Sequence, residues 1–197
     1  PTTKLFSPRD AIYDHLLEGS VLEPMLCNKL FRRALFVDND IWFPEGMIYE
    51  DSRTLYRLYY YAHKIIFIDQ PLYNYLQREG SVMHHGIDDK NLQFLRIIPD
   101  EAGQWLRARS HQYEDAIAAY ELTGIFNVLN YIVDRGGSTA RVEWREAVRF
   151  VRAHHNQILV NPRVSSRRKI LCIIIAICLP MYGIIRRSYV RRLEASV

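Results

Sequence analysis

Pro44-Glu45-Gly46-Met47-Ile48-Tyr49-Glu50-Asp51-Ser52-Arg53-Thr54 and, further on, Tyr75-Leu76-Gln77-Arg78-Glu79-Gly80-Ser81-Val82 are the stretches whose reading decides the fold. Phe43-Pro44-Glu45-Gly46 breaks the chain into a loop. From Ser52 onward Leu55, Leu58, Tyr59 and Ala62 recur at three and four, which predicts a helix to about His63. Lys64-Ile65-Ile66-Phe67-Ile68-Asp69 is rich in β-formers and ends at Gln70-Pro71, which predicts a strand. Leu72 to Gln77 reads as a second extended piece and Arg78 to Gly80 as a turn. An acidic pair at a helix start, followed by a basic-glycine-serine turn, is the part of the chain that names a chemistry.

Working outward, Ser7-Pro8-Arg9-Asp10 supplies an N-cap, a first-position proline and a capping-box acid for a helix toward Leu17 that stops near Gly19. Leu26 to Phe36, with Asn28, Lys29, Arg32 and Arg33 interleaved, predicts a second helix. Beyond residue 88 the pattern is helical throughout: Asn91–Ile98, Glu101–Ser110, Tyr113–Asp134 closed by Gly136-Gly137, and Thr139–Asn156.

With 197 residues, 49% hydrophobic and 24% charged, the chain can bury one sizeable core and is not a disordered tail. It begins at Pro1 rather than Met, so an N-terminal truncation is an expectation of the sequence. Cys27, Cys172 and Cys178 are an odd count, two of them in an apolar run, which argues against a disulfide framework or zinc site. After residue 162 eight basic residues face one acid, Glu194, so the +4 total leaves the preceding part net acidic.

Between those basic clusters, residues 170 to 185 carry no charge. A helix of that length reaches roughly 24 Å, short of a hydrocarbon core of about 30 Å. Pro180 would kink it, and positive charge on both flanks gives no orientation. A re-entrant anchor, a buried core helix and a span stay open. The arginines beside the segment favour the first, with residues 163–192 as a peripheral or re-entrant attachment to an anionic membrane surface.

Four pieces in order carry a resemblance: Cys27-Asn28-Lys29-Leu30-Phe31-Arg32-Arg33, Ile41-Trp42-Phe43-Pro44-Glu45-Gly46, Tyr49-Glu50-Asp51, and Tyr73-Asn74-Tyr75-Leu76-Gln77-Arg78-Glu79-Gly80-Ser81-Val82. Together they resemble the second half of a family 2 glycosyltransferase, over roughly residues 4 to 110. The resemblance implies an α/β fold: the C-terminal half of a GT-A-like mixed sheet flanked by helices, followed by a mostly helical extension. It divides the chain into a catalytic, acceptor-side half (1–110), a helical extension (111–162) and a basic, apolar membrane-associating segment (163–197). The nucleotide-binding half, with its Asp-any-Asp metal motif, would be missing. Asp38-Asn39-Asp40 has the motif's spacing but follows no strand and reads as a turn.

Inverting transfer needs a base for the acceptor hydroxyl while a nucleotide diphosphate leaves from the opposite face. The resemblance gives the first task to Asp51, with Glu50 beside it orienting the site or contacting acceptor. The alternative for Asp51 is a plain helix N-cap. Arg78, Gly80 and Ser81 are implied as the diphosphate-binding turn, with Lys29 and Asn28 in reach of sugar or phosphate; a surface turn and an exposed helix face are the structural alternatives. A divalent metal (Mg or Mn) would be held mainly by the missing half, with His84 a candidate ligand. The implied partners are a nucleotide-diphosphate sugar and a polysaccharide or lipid-linked glycan acceptor at the cytoplasmic face of the cell membrane, with this chain inactive and poorly soluble or oligomeric alone. Basic residues gathered around an apolar segment, rather than spread over a folded face, argue against nucleic acid. The other class of function is a non-catalytic helical module docking on membrane or a partner protein.

Overall fold

The computed structural model describes residues 2–17, 19–76, 91–135 and 140–194. They fall into two compact units, Pro1–His84 and His85–Val197.

The first unit runs β1 (Thr3–Phe6), α1 (Pro8–Leu16), α2 (Arg33–Val37), α3 (Glu50–Tyr61) and β2 (Ile65–Ile68). Ser7 starts α1 as its sequence predicts: Oγ accepts from the Asp10 N–H at 3.1 Å, and Pro8 fills the first helical position. Helix α1 packs on α3, and the core gathers Phe6, Ile12, Leu16, Leu55, Tyr56, Leu58 and Tyr59. Each side chain of that size contributes roughly 1.5–3 kcal/mol when fully buried.

Strands β1 and β2 pair antiparallel, with Leu5 opposite Ile66 and Thr3 opposite Ile68. This two-stranded ribbon is the whole sheet among the described residues. The expected GT-A-like mixed sheet flanked by helices is therefore corrected: among the described residues eight helices and one ribbon make a mostly helical structure. The cause lies in the β-forming segments. Residues 71–76 form no strand, and the partner of β2 is the short Thr3–Phe6 run, so the described residues offer no third strand to build on.

The helix expected from Leu26 to Phe36 is also shorter, five residues from Arg33. Ahead of it, Lys29 Nζ donates to the carbonyls of Glu23 and Met25 at 2.7 and 2.6 Å. That side chain satisfies loop carbonyls and holds residues 23–29 in a turn. Glu23, just before Pro24, adopts a positive φ of 37°, outside the helical region that a following proline disfavours.

In the second unit α4 (Phe94–Arg107), a 3-10 turn (His111–Tyr113), α5 (Glu114–Arg135), α6 (Ala140–Val160), α7 (Ser166–Ile177) and α8 (Leu179–Glu194) form a bundle. Helix α5 packs on α4, α6 and α8. The two helices expected around Pro99 are one, continuous through the proline. Pro99 has no N–H to give Leu95 O, and that carbonyl lies against Gly124 of α5, where a methyl group would collide with it.

His111–Arg135 is long and apolar enough to cross a membrane by length and composition, and half of that window is buried in the protein. Its polar groups are tied to neighbouring helices. Arg107 grips Glu121 at 2.6 and 3.1 Å, Arg168 donates to Thr123 at 2.6 Å, Tyr182 to Asn130 at 2.8 Å, and Arg186 to Asp134 at 2.6 Å. Helix α5 is thus the hub of the bundle. All three cysteines are unpaired; Cys172 is buried, while Cys27 and Cys178 are exposed.

Candidate functional site

Tyr49 takes a left-handed conformation (φ 60°, ψ 38°) and is the N-cap of α3, a position that stores roughly 1–3 kcal/mol of strain in a bulky residue. The kink delivers Glu50 and Asp51 into the first helical turn. Asp51 is therefore not the N-cap but a first-turn residue, and Tyr49 makes no side-chain capping bond. In the first turn an ionised carboxylate is favoured by the helix dipole.

Asp51 is half-buried and Glu50 exposed. Asp51 Oδ1 accepts from the backbone N–H of Ser52 at 2.7 Å. Burial lifts the Asp51 carboxyl above the usual carboxylate range, with the Glu50 charge adding to it, while the bonds to Ser52 pull the other way. The result is a fixed, partly dehydrated carboxylate whose anion is a stronger proton acceptor than a free aspartate.

Lys29 and Asn28 come from the turn before α2. Asn28 is exposed, and its Oδ1 accepts from Lys29 Nζ at 2.8 Å. Burial lowers the Lys29 ammonium below its ordinary value, opposed by Glu23, Cys27, Asp51 and Asp14. Lys29 thus lies in a cluster with the acids of α1 and α3, its donors spent on the loop it holds. The expected Arg78, Gly80, Ser81 and His84 lie outside the described residues.

The wall behind this cluster was not visible in the sequence. Asp14 of α1 accepts from Ser20 Oγ, Leu22 N and Val21 N at 2.8, 2.9 and 3.2 Å, fixing the loop that leads to Lys29. His15 beside it is buried and sets its ring edge-on to Tyr59 of α3, centroids 5.8 Å apart. Burial, with Lys29 nearby, brings His15 down to about 4. Burial also raises the Tyr59 hydroxyl, which is without a hydrogen-bond partner among the described residues. Asp14-His15 sits in an ordinary amphipathic helix, and no spacing sets it apart.

Among the described residues no three or more His, Cys, Asp and Glu side chains gather to hold a metal. Asp38–Asp40 forms a turn, with Asp40 at φ 50° and its Oδ1 accepting from Trp42 Nε1 at 2.7 Å.

Over part of its length the chain is related to a glycosyltransferase. The curated protein glycosyltransferase GlyG of Streptococcus pneumoniae serotype 4 is 40% identical over 60 residues, a stretch covering 30% of this chain and 19% of that protein. The matched stretch thus spans under a fifth of that relative's length. No family model and no solved structure matches the chain.

Proposed function

We propose that this chain contributes the acceptor-side part of an inverting, family 2 type glycosyltransferase, which moves a sugar from a nucleotide-diphosphate donor to a polysaccharide or lipid-linked glycan. The observation that carries the reading is Asp51: a half-buried carboxylate bonded to the Ser52 amide, in the first turn of a helix that opens on the left-handed Tyr49. The partial identity with a glycosyltransferase supports the same reading.

In the proposed reaction, Asp51 accepts the proton of the acceptor hydroxyl. The freed oxygen electron pair attacks the anomeric carbon, and the bond to the diphosphate oxygen breaks, its electrons leaving with the nucleotide diphosphate. Arg78 and the backbone N–H groups of Gly80 and Ser81 offset the charge on that leaving group. Glu50, exposed at the same helix end, contacts acceptor. Mg or Mn belongs to this reading only through a nucleotide-binding part with its own acidic motif, and no step here runs through it. The acceptor's nature puts the reaction at the cytoplasmic face of the cell membrane.

The test is sugar transfer by the native gene product that carries this chain, read as released nucleotide diphosphate. Turnover that survives replacement of Asp51 by Asn contradicts the reading.

A further inference from the structure

The uncharged run of residues 170–185 is not one helix. Helix α7 ends at Ile177, Cys178 leaves helical geometry (φ −139°, ψ 81°), and α8 begins at Leu179. Helices of 12 and 16 residues reach roughly 18 and 24 Å, and neither crosses a hydrocarbon core of about 30 Å.

Each helix also has one covered side. Cys172 and Ile175 of α7 and Tyr182 of α8 are buried, and Arg168 and Arg186 are tied to α5. The uncharged run thus divides into a protein-facing half and an outward half. The outward half is a stripe on each helix. On α7 it is Ile170, Ile173 and Ile177, 57%, 42% and 79% exposed; on α8 it is Met181, Ile184 and Ile185, 43%, 58% and 37% exposed. Both sets recur at three and four, the spacing of one helix face.

The two stripes border grooves that open along the same side of α6. One, of about 390 Å³, lies between Ile173 and Ile177 and the α6 residues Arg152, His155 and Leu159. The other, of about 370 Å³, lies between Ile184 and Arg187 of α8 and Trp144 of α6. Trp144, His155 and Leu159 fall within about a quarter turn of one another on α6.

Charge identifies the occupant. Arginines on the protein-facing side have partners: Asp115 for Arg163, Thr123 for Arg168 and Asp134 for Arg186. Among the described residues no carboxylate pairs with Lys169, Arg187, Arg191 or Arg192. An apolar stripe with unpaired cations at its borders is complementary to a surface that is apolar inside and anionic outside.

We propose that α7 and α8 dock this protein on an anionic lipid bilayer, lying in the interfacial plane with their isoleucine stripes inserted and Lys169, Arg187, Arg191 and Arg192 at the headgroups. The inference rests on the membrane-side part of the proposed function and not on its chemistry.

The experiment is sedimentation of the 197-residue chain with phosphatidylcholine vesicles, with and without phosphatidylglycerol. The expected result is binding to the anionic vesicles, weakened by salt. Ile177→Glu with Ile184→Glu should weaken it about tenfold or more, and Arg187→Gln with Arg191→Gln and Arg192→Gln by roughly a hundredfold, since each of the three cations contributes about 1 kcal/mol at an anionic surface. The glutamate variant alters exposed positions, and its melting curve checks the fold; if that curve shifts, the arginine set decides. Failure of wild type to bind, or variants that bind as wild type does, would overturn the proposal. So would a dimer that the glutamate variant splits while vesicle binding stays unchanged, which would make the face an interface between copies. Asp51→Asn should bind vesicles as wild type does, so loss of docking and loss of transfer are told apart.

Discussion

The carboxylate of Asp51 and the backbone amide of Ser52 are joined by a 2.7 Å hydrogen bond at the start of α3. The bond fixes the carboxylate in the first turn of the helix. Because burial raises this carboxyl above its usual range, the pH dependence of kcat/KM should rise through an apparent pKa above that of an exposed aspartate. Moving the charge of Glu50 away, by Glu50→Gln, should lower that apparent pKa, because its repulsion is one of the causes raising it. A profile unmoved by Glu50→Gln would separate Asp51 from the titrating group.

His15 makes a prediction about stability. Burial brings it down to about 4 from an ordinary 6.5, so below about pH 6.5 the unfolded chain binds a proton that the folded chain refuses. Its contribution is absent at neutral pH and grows as pH falls toward 4, reaching about 3 kcal/mol of destabilisation. Denaturant unfolding across that window should be steeper in pH for wild type than for His15→Phe; identical slopes would exclude the histidine as the cause.

Gly124 is a packing requirement. A methyl group there would collide with Leu95 O and lie 3.0 Å from Pro99 Cγ. Gly124→Ala should destabilise the second unit by roughly 1–3 kcal/mol, despite the better helix propensity of alanine. A melting temperature equal to or above wild type would show that the α4–α5 crossing relaxes freely.

Arg107 and Glu121 make a two-bond pair across α4 and α5, at side-chain exposures of 32% and 12%. Burial raises the Glu121 carboxyl even against the pull of Arg107. Losing one partner strands the other: Arg107→Met should cost roughly 3 kcal/mol, and Arg107→Met with Glu121→Leu much less. Equal losses in the single and double variants would mean that the pair is not coupled.

What the sequence made legible was local. Ser7 and Pro8 fixed the start of α1, the repeat from Leu55 to Ala62 fixed α3, and Ile65–Ile68 fixed β2. The failures have non-local causes. Thr3–Phe6 gains strand character only from its pairing with Ile65–Ile68, and Pro99 stays inside a helix because Gly124, far along the chain, admits the carbonyl it strands. The helix expected at Leu26 gave way to the hold of Lys29 on Glu23 and Met25. In the candidate site, the acidic pair was legible as a motif, whereas Asp14, His15 and Tyr59 join it only through the packing of α1 on α3.

The most direct test of Asp51 as the transfer base is the turnover of the native gene product carrying Asp51→Asn, measured beside wild type with melting curves on both. The account predicts a loss of about 10²–10⁴ in kcat with the melting temperature preserved. Wild-type turnover in the Asn variant would contradict it and leave Asp51 as a first-turn residue of α3.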